Sequence, residues 1–183
     1  MIKSKTWALA AAASLVFVIQ SLWLPAKAQL GQLLLERNWQ QIVAGKPAAS
    51  AWPGADIQAV AQLEVPALGI RQLLVAGQQG KNLAWAPGLV GADRPGLSDT
   101  VVSAHRDSHF RFLEEIKVGD RIVLTTASAS FEYLVESMEV VDSKIHHLQL
   151  QTDGQHLLLT TCYPFDALQS GGALRYVVTA VAT

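Results

Sequence analysis

Seven short apolar runs, AQLEV, IRQLLVAG, TVVSAH, DRIVLTT, FEYLVESMEVVD, QHLLLTTC and LRYVVTAVA, are separated by clusters of Gly, Pro, Asp and Ser, and this pattern constrains the fold most tightly. Short runs bounded by turn formers read as strands. In FEYLV, Phe131, Tyr133 and Val135 face one way while Glu132 faces the other, the period of a half-buried strand. Many short strands hide their edges by closing, so the expected class is mainly β, a mixed or closed barrel with short helices in its connections. Half of the 183 residues are apolar, enough for a real core in one domain plus an appendage.

The appendage is N-terminal. Lys3 and Lys5 precede WALAAAASLVFVIQSLWL, Trp7 to Leu24, an uncharged run that would span roughly 27 Å as a helix, close to the thickness of a bilayer core. The basic flank is expected to stay cytoplasmic. Ala26 and Ala28 around Lys27 also form an A-x-A cleavage pattern, so a cleaved signal peptide competes with an uncleaved anchor. The anchor is favoured, because the run exceeds an ordinary signal core. Either reading exports the rest. After it, Leu30, Leu33, Leu34 and Trp39 fit an amphipathic stalk helix, and GKPAASAWPGAD, Gly45 to Asp56, reads as a linker. The expected division is 1–28 cytoplasmic tip and anchor or signal peptide, 29–56 stalk helix and linker, and 57–183 the β-domain.

Net charge is −1 and no long basic block occurs, which gives nucleic-acid binding no support. The acids Glu114, Glu115, Asp120, Glu132, Glu136 and Glu139 are scattered without a calcium-loop pattern, so no metal or other cofactor is expected. The single cysteine excludes an internal disulfide and any multi-thiolate metal site. It is filler, an intermolecular partner or a nucleophile.

Cys162 ends QHLLLTTC where a strand meets the turn YPFD, beside Thr160 and Thr161. A free cysteine is usually a small buried hydrophobe, but an exported lone thiol is an oxidation risk and needs a reason. A thiolate nucleophile also needs an acid or base and a nearby cation. In VVSAHRDSHFRFL, His105 stands at a second strand end. His109 follows four residues later, and a helix there could put both imidazoles on one metal, although no third ligand is evident. His146 and His147 read as solvated loop residues, and His156 as pointing outward from its strand. The candidate cations are Arg106, Arg111 and Arg175. Arg175 opens the strand that follows Cys162 across Gly171 and Gly172, although it could equally cap a surface or pair with Asp166. Asp107 could orient His105 or cap a short helix begun by HFRFLEEI.

The segment LTTCYPF, Leu159 to Phe165, with a histidine strand end upstream and an arginine strand downstream, resembles the sortases, bacterial cysteine transpeptidases that attach exported proteins to surface structures. Against the family pattern T-L-x-T-C, the first Thr is Leu158. AHRDSHFRFLEEIKVGDRI, TTCYPFDALQSGGALRYVV and LAWAPG are similar to the Gram-negative, proteobacterial branch. The resemblance implies a closed eight-stranded barrel, with Cys162 as nucleophile, His105 as general acid and base, and Arg175 aimed at the scissile carbonyl. Thr161, Tyr163 and Asp107 are secondary candidates for substrate or oxyanion support. The implied partners are an exported protein with an LPxTG-like C-terminal sorting signal, an amine-bearing acceptor and the inner membrane, with the domain on the periplasmic side if the cell is Gram-negative. Two other readings compete: a thiol peptidase that hydrolyses only, and a non-catalytic anchored β-domain.

Overall fold

The computed structural model describes residues 14, 23, 26, 29–46, 50–51, 57–90, 98–146, 155–168 and 171–183 of the chain. The apolar run expected to cross a membrane therefore lies almost wholly outside the described residues. Among the described residues no helix is long and apolar enough to span a bilayer.

Eight strands form one closed barrel. They are β1 (Ala59–Val65), β2 (Ile70–Ala76), β3 (Gly88–Val90), β4 (Thr100–Ser103), β5 (Arg121–Thr126), β6 (Ser130–Asp142), β7 (His156–Cys162) and β8 (Leu174–Ala182), in the order β1-β2-β3-β4-β7-β8-β6-β5. β1 pairs with β5 to close the ring, and the β2–β3 and β4–β7 pairs are parallel. Each of the seven apolar runs supplies one strand; the eighth, β3, is only three residues long and sits inside a Pro- and Gly-bearing stretch without a periodic signal. The barrel interior is filled by Leu63, Leu74, Val102, Phe110, Leu113, Ile122, Leu124, Tyr133, Leu157 and Leu159, all fully buried. The alternation in FEYLV holds: Tyr133 and Val135 are buried while Glu132 and Leu134 are exposed. A 3-10 turn, Pro66–Leu68, joins β1 to β2, and Gly69 ends it at φ +64°, a conformation that favours glycine.

The helix α1, 29–43, lies against the outside of this barrel. Leu35 and Trp39 are buried against Ile57, Ala59, Leu73, Val75 and Ala86, each worth roughly 1.5–3 kcal/mol for a large side chain. Two amides of α1 do what apolar residues could not. β3 pairs with β2 only at Val75 and Ala76, and two residues earlier the Gln32 Oε1 accepts the Leu73 N–H at 2.6 Å while its Nε2 donates to the Leu73 carbonyl at 3.0 Å. The Asn38 Oδ1 accepts the Ala59 N–H at 2.7 Å, next to an irregularity in β1. The helix thus covers strand edges that would otherwise be left without partners.

The face it buries shares Trp39, and in part Leu34, with the expected one but is turned away from Leu30 and Leu33. Leu33 is 64% and Leu30 is 43% exposed, whereas Gly31, Leu35, Asn38 and Trp39 face the barrel. Helix and barrel approach so closely at Gly31 that a Cβ there would sit 2.3 Å from the Trp85 carbonyl oxygen. Of the expected linker, Ser50 and Ala51 are tied to Ile57, the latter by an N–H to carbonyl bond of 2.7 Å.

Gly31→Ala should therefore cost roughly 1–3 kcal/mol in a denaturant titration, despite its gain in helix propensity. Leu33→Ala should stay within about 0.5 kcal/mol. Equal stability of wild type and Gly31→Ala would show that the helix is not held on the barrel in solution.

Candidate active site

The parallel ladder between β4 and β7 puts Ser103 opposite Thr160, and the Ala104 N–H donates to the Thr160 carbonyl at 3.2 Å. His105 and Cys162 each lie two residues beyond that rung, so the period of the strand turns both toward the same face. β8 returns antiparallel with Arg175 as the direct partner of Cys162. Side chains opposed in this way typically start from Cβ atoms about 4.5–5.5 Å apart. His105, Cys162 and Arg175 all line one cavity of about 240 Å³. Cys162 is a free thiol at intermediate burial, neither sealed in the core nor fully exposed. Arg106 and Arg111 do not line this cavity.

The Arg175 Nη1 donates to the carbonyls of Gly172 at 2.6 Å and Leu174 at 2.8 Å, which anchors the guanidinium to the loop before β8. That loop turns at Gly171, whose φ is +96°. Among the described residues the Arg175 Nε and Nη2 groups make no hydrogen bond, and both can donate to a developing oxyanion. The backbone N–H immediately after Cys162, that of Tyr163, already donates to the Leu174 carbonyl at 3.1 Å. This amide is committed to holding β8 beside β7.

Of the secondary candidates, Thr161 lines the cavity, whereas Tyr163 and Asp107 do not. The Thr161 hydroxyl, buried, donates to the Ala104 carbonyl at 2.8 Å and so fixes the backbone just before His105. The Tyr163 ring stacks on Tyr176 at 6.1 Å and meets Phe165 edge-on. Burial, with the nearby Tyr163, raises the Tyr176 hydroxyl above its ordinary pKa. Both Asp107 carboxylate oxygens are taken by Arg106, at 2.7 and 2.9 Å. The short helix expected after it is a 3-10 turn, Arg111–Glu114, with Phe110 at its N-cap and no side-chain cap bond.

The other histidines are also resolved by their surroundings. Residues 105–110 form turns instead of a helix, with the Phe110 N–H bonded back to the His105 carbonyl at 3.1 Å, so His105 and His109 do not share a helical face. Among the described residues no three His, Cys, Asp or Glu side chains gather as a metal site. His109 is buried, and loss of hydration, followed by the nearby charge of His105, pushes it down to about 4. His146 is exposed, and His147 lies outside the described residues. The His156 Nδ1 lies 3.2 Å from Asp99 instead of pointing freely outward.

Two polar cavity residues, Gln78 and Ser103, escaped the sequence reading, and Thr160 entered it only as a polar neighbour of Cys162. The Gln78 Nε2 donates to the Ser103 hydroxyl at 2.8 Å, and Ser103 and Thr160 share a hydrogen bond of 2.5 Å, forming one polar wall. Ser103 and Thr160 could have been found by stepping back two residues from His105 and Cys162. Gln78, in the loop after β2, carries no such signal.

This geometry has relatives. Residues 63–183 match the model of the Sortase domain. Sortase D of Bacillus subtilis strain 168 is 30% identical over 126 residues, covering 66% of this chain and 62% of that protein, so the chain spans less than two thirds of that relative's length. A Clostridium perfringens Sortase D5 transpeptidase has the same fold, with TM-score 0.65 and 19% identity over 85% of this chain and 99% of that one. So does sortase C of Clostridium perfringens solved with its C-terminal cell wall sorting motif, at TM-score 0.58 and 18% identity over 86% and 90% of the two chains. The chain belongs to the sortase family.

His109 also makes stability pH-dependent. Its pKa of about 4 in the fold lies below the ordinary 6.5. The unfolded chain therefore binds a proton that the folded one refuses, and stability falls as pH drops from 6.5 through 4, by on the order of 3 kcal/mol. Urea titrations of wild type and His109→Gln across that window should show the difference between them shrinking as pH falls. A difference independent of pH would contradict a neutral, buried His109.

Proposed function

We propose that this chain is a membrane-anchored cysteine transpeptidase acting on an exported protein with an LPxTG-like C-terminal sorting signal. The Cys162 thiolate attacks the carbonyl of the scissile bond, and the Arg175 donors left unused by its loop stabilise the oxyanion. His105 protonates the departing amine, leaving a thioacyl-enzyme. An incoming amine then gives its proton to His105, attacks the thioester carbonyl and expels the thiolate, so one amide is exchanged for another. The observation that carries this reading is the convergence of thiol, imidazole and guanidinium from three strand ends on one cavity.

The sorting-signal substrate draws support from the structural relative solved with such a motif. Membrane attachment draws support from Trp7 to Leu24 and from the position of α1. Gln29 and Gln32, in the first described turn of α1, line a cavity with Asp107, Ser108 and His109, just past His105. The five residue steps from Leu24 to Gln29 can extend at most about 18 Å. An anchor would therefore leave the barrel near its catalytic end, where membrane-retained substrates would be met. The segments around His105 and Cys162 favour a proteobacterial, periplasm-facing sortase.

The full chain in detergent micelles, given an LPxTG-like peptide and an added amine, should release the C-terminal fragment and form the amine adduct. Cys162→Ala should form none, and Arg175→Lys should lose about 100-fold in kcat, since a point charge cannot replace the planar fork. Cleavage at full rate with no adduct at saturating amine would replace the transpeptidase with a hydrolytic thiol peptidase.

A further inference from the structure

Arg106 follows His105 directly, is 3% exposed, and does not face the catalytic cavity. A guanidinium buried that deeply must be fully engaged or it destabilises the fold. Its Nε and Nη2 grip the two Asp107 oxygens, its Nη1 donates to the Pro164 carbonyl at 2.5 Å, and its Nη2 also donates to the Ala167 carbonyl at 2.8 Å. Four of the five N–H groups are thus used. Arg111 adds a bond from Nη1 to the Phe165 carbonyl at 2.8 Å. The accepting carbonyls belong to the turn that begins immediately after Cys162, and the donors to the turn that begins immediately after His105.

The β4–β7 ladder stops at Ser103 and Thr160, followed only by the two bonds to Ala104. Past that point β7 runs on beside β8 as far as Cys162 while the chain after β4 turns away from it, and both catalytic side chains lie past the last rung. Arg106 is the buried link between them there. We propose that Arg106 is a positioning residue that braces the turn after Cys162 against the turn after His105, holding thiol and imidazole in register while keeping a fixed positive charge behind the sulfur.

The charge is close enough to matter. The guanidinium is held above its ordinary pKa first by its bonds to Asp107, and negative charge at Cys162 and Asp166 adds to this. A cation held near a sulfur is a general way to raise a thiol's reactivity. The ionisable and charged groups around the thiol are His105 at the end of β4, Arg175 and Tyr176 on β8, and Arg106, Asp107, Tyr163 and Asp166 in the two turns.

The proposal rests on Cys162 being the nucleophile only for its effect on rate, so two readouts separate brace from chemistry. Hydrogen exchange over residues 163–167 reports the brace, and the pH profile of Cys162 alkylation by iodoacetamide reports the thiol without any peptide substrate. In Arg106→Lys, exchange over 163–167 should quicken at least tenfold, because one ammonium cannot reach Asp107, Pro164 and Ala167 together. In Arg106→Met the alkylation midpoint should rise as well, and peptide acylation should lose more in kcat than in KM. Arg111→Lys serves as the milder control, and Asp107→Asn, which spares Arg106 itself, should move exchange in the same direction should either Arg106 variant fail to fold. Wild-type exchange in folded Arg106→Lys or Asp107→Asn, with an unmoved alkylation midpoint, would overturn the brace. Quickened exchange beside an ordinary, unreactive thiol in wild type would leave the brace standing and count against Cys162 as nucleophile.

Discussion

Four rungs of parallel pairing, Thr100–Leu157 through Ser103–Thr160, set everything that follows in this molecule. Parallel strands cannot be joined by a hairpin, so the ladder brings together segments more than fifty residues apart, and its register alone decides which side chains meet at its end. A slip of one residue would turn Cys162 into the barrel and put the Thr161 side chain in its place. Packing on both faces guards against that slip. Val102, Leu157 and Leu159 fill the interior, while Val101 and Leu158 are buried with Val177 on the outside. Leu158, which departs from the family pattern T-L-x-T-C, belongs to that outer cluster and contributes to the register rather than to a polar wall.

The strand ends beyond the ladder divide their work between holding and reacting. Thr161 and the Tyr163 N–H are polar groups beside the thiol, yet both are spent on backbone partners, Ala104 and Leu174. In the proposed mechanism oxyanion stabilisation therefore falls to Arg175, whose own anchoring to Gly172 and Leu174 limits its freedom. Lowering the freedom of such a group before substrate arrives is what makes it effective, since no reorganisation is needed at the moment of reaction.

Much of this was legible in the chain because strand signals are local. Seven of eight strands announce themselves as apolar runs, and Cys162, His105 and Arg175 can be singled out as polar residues at the ends of three of them. What was not legible depends on pairings far apart in sequence. β3 is too short for periodicity and is defined by its neighbours, Val75 on one side and Ser103 on the other. The buried face of α1 is legible at Trp39 but not at Gly31, Gln32 and Asn38, which look polar or neutral, and only the unfinished edges of β1 and β2 explain why they face inward. In the sequence Arg106 is one of three candidate cations and Asp107 a partner for His105 or a helix cap; that the arginine reaches a turn 58 residues away has no signature in its own neighbourhood.

The account stands on Cys162 becoming acylated through groups delivered by that register. The most direct measurement is to quench the full chain with acid during turnover of an LPxTG-like peptide, digest it, and locate the acyl mass. An adduct on the peptide containing Cys162, released by hydroxylamine and sharply reduced in His105→Ala and Arg175→Ala, is the expected result. Turnover with no adduct at Cys162, or with the acyl group on another residue, would contradict it.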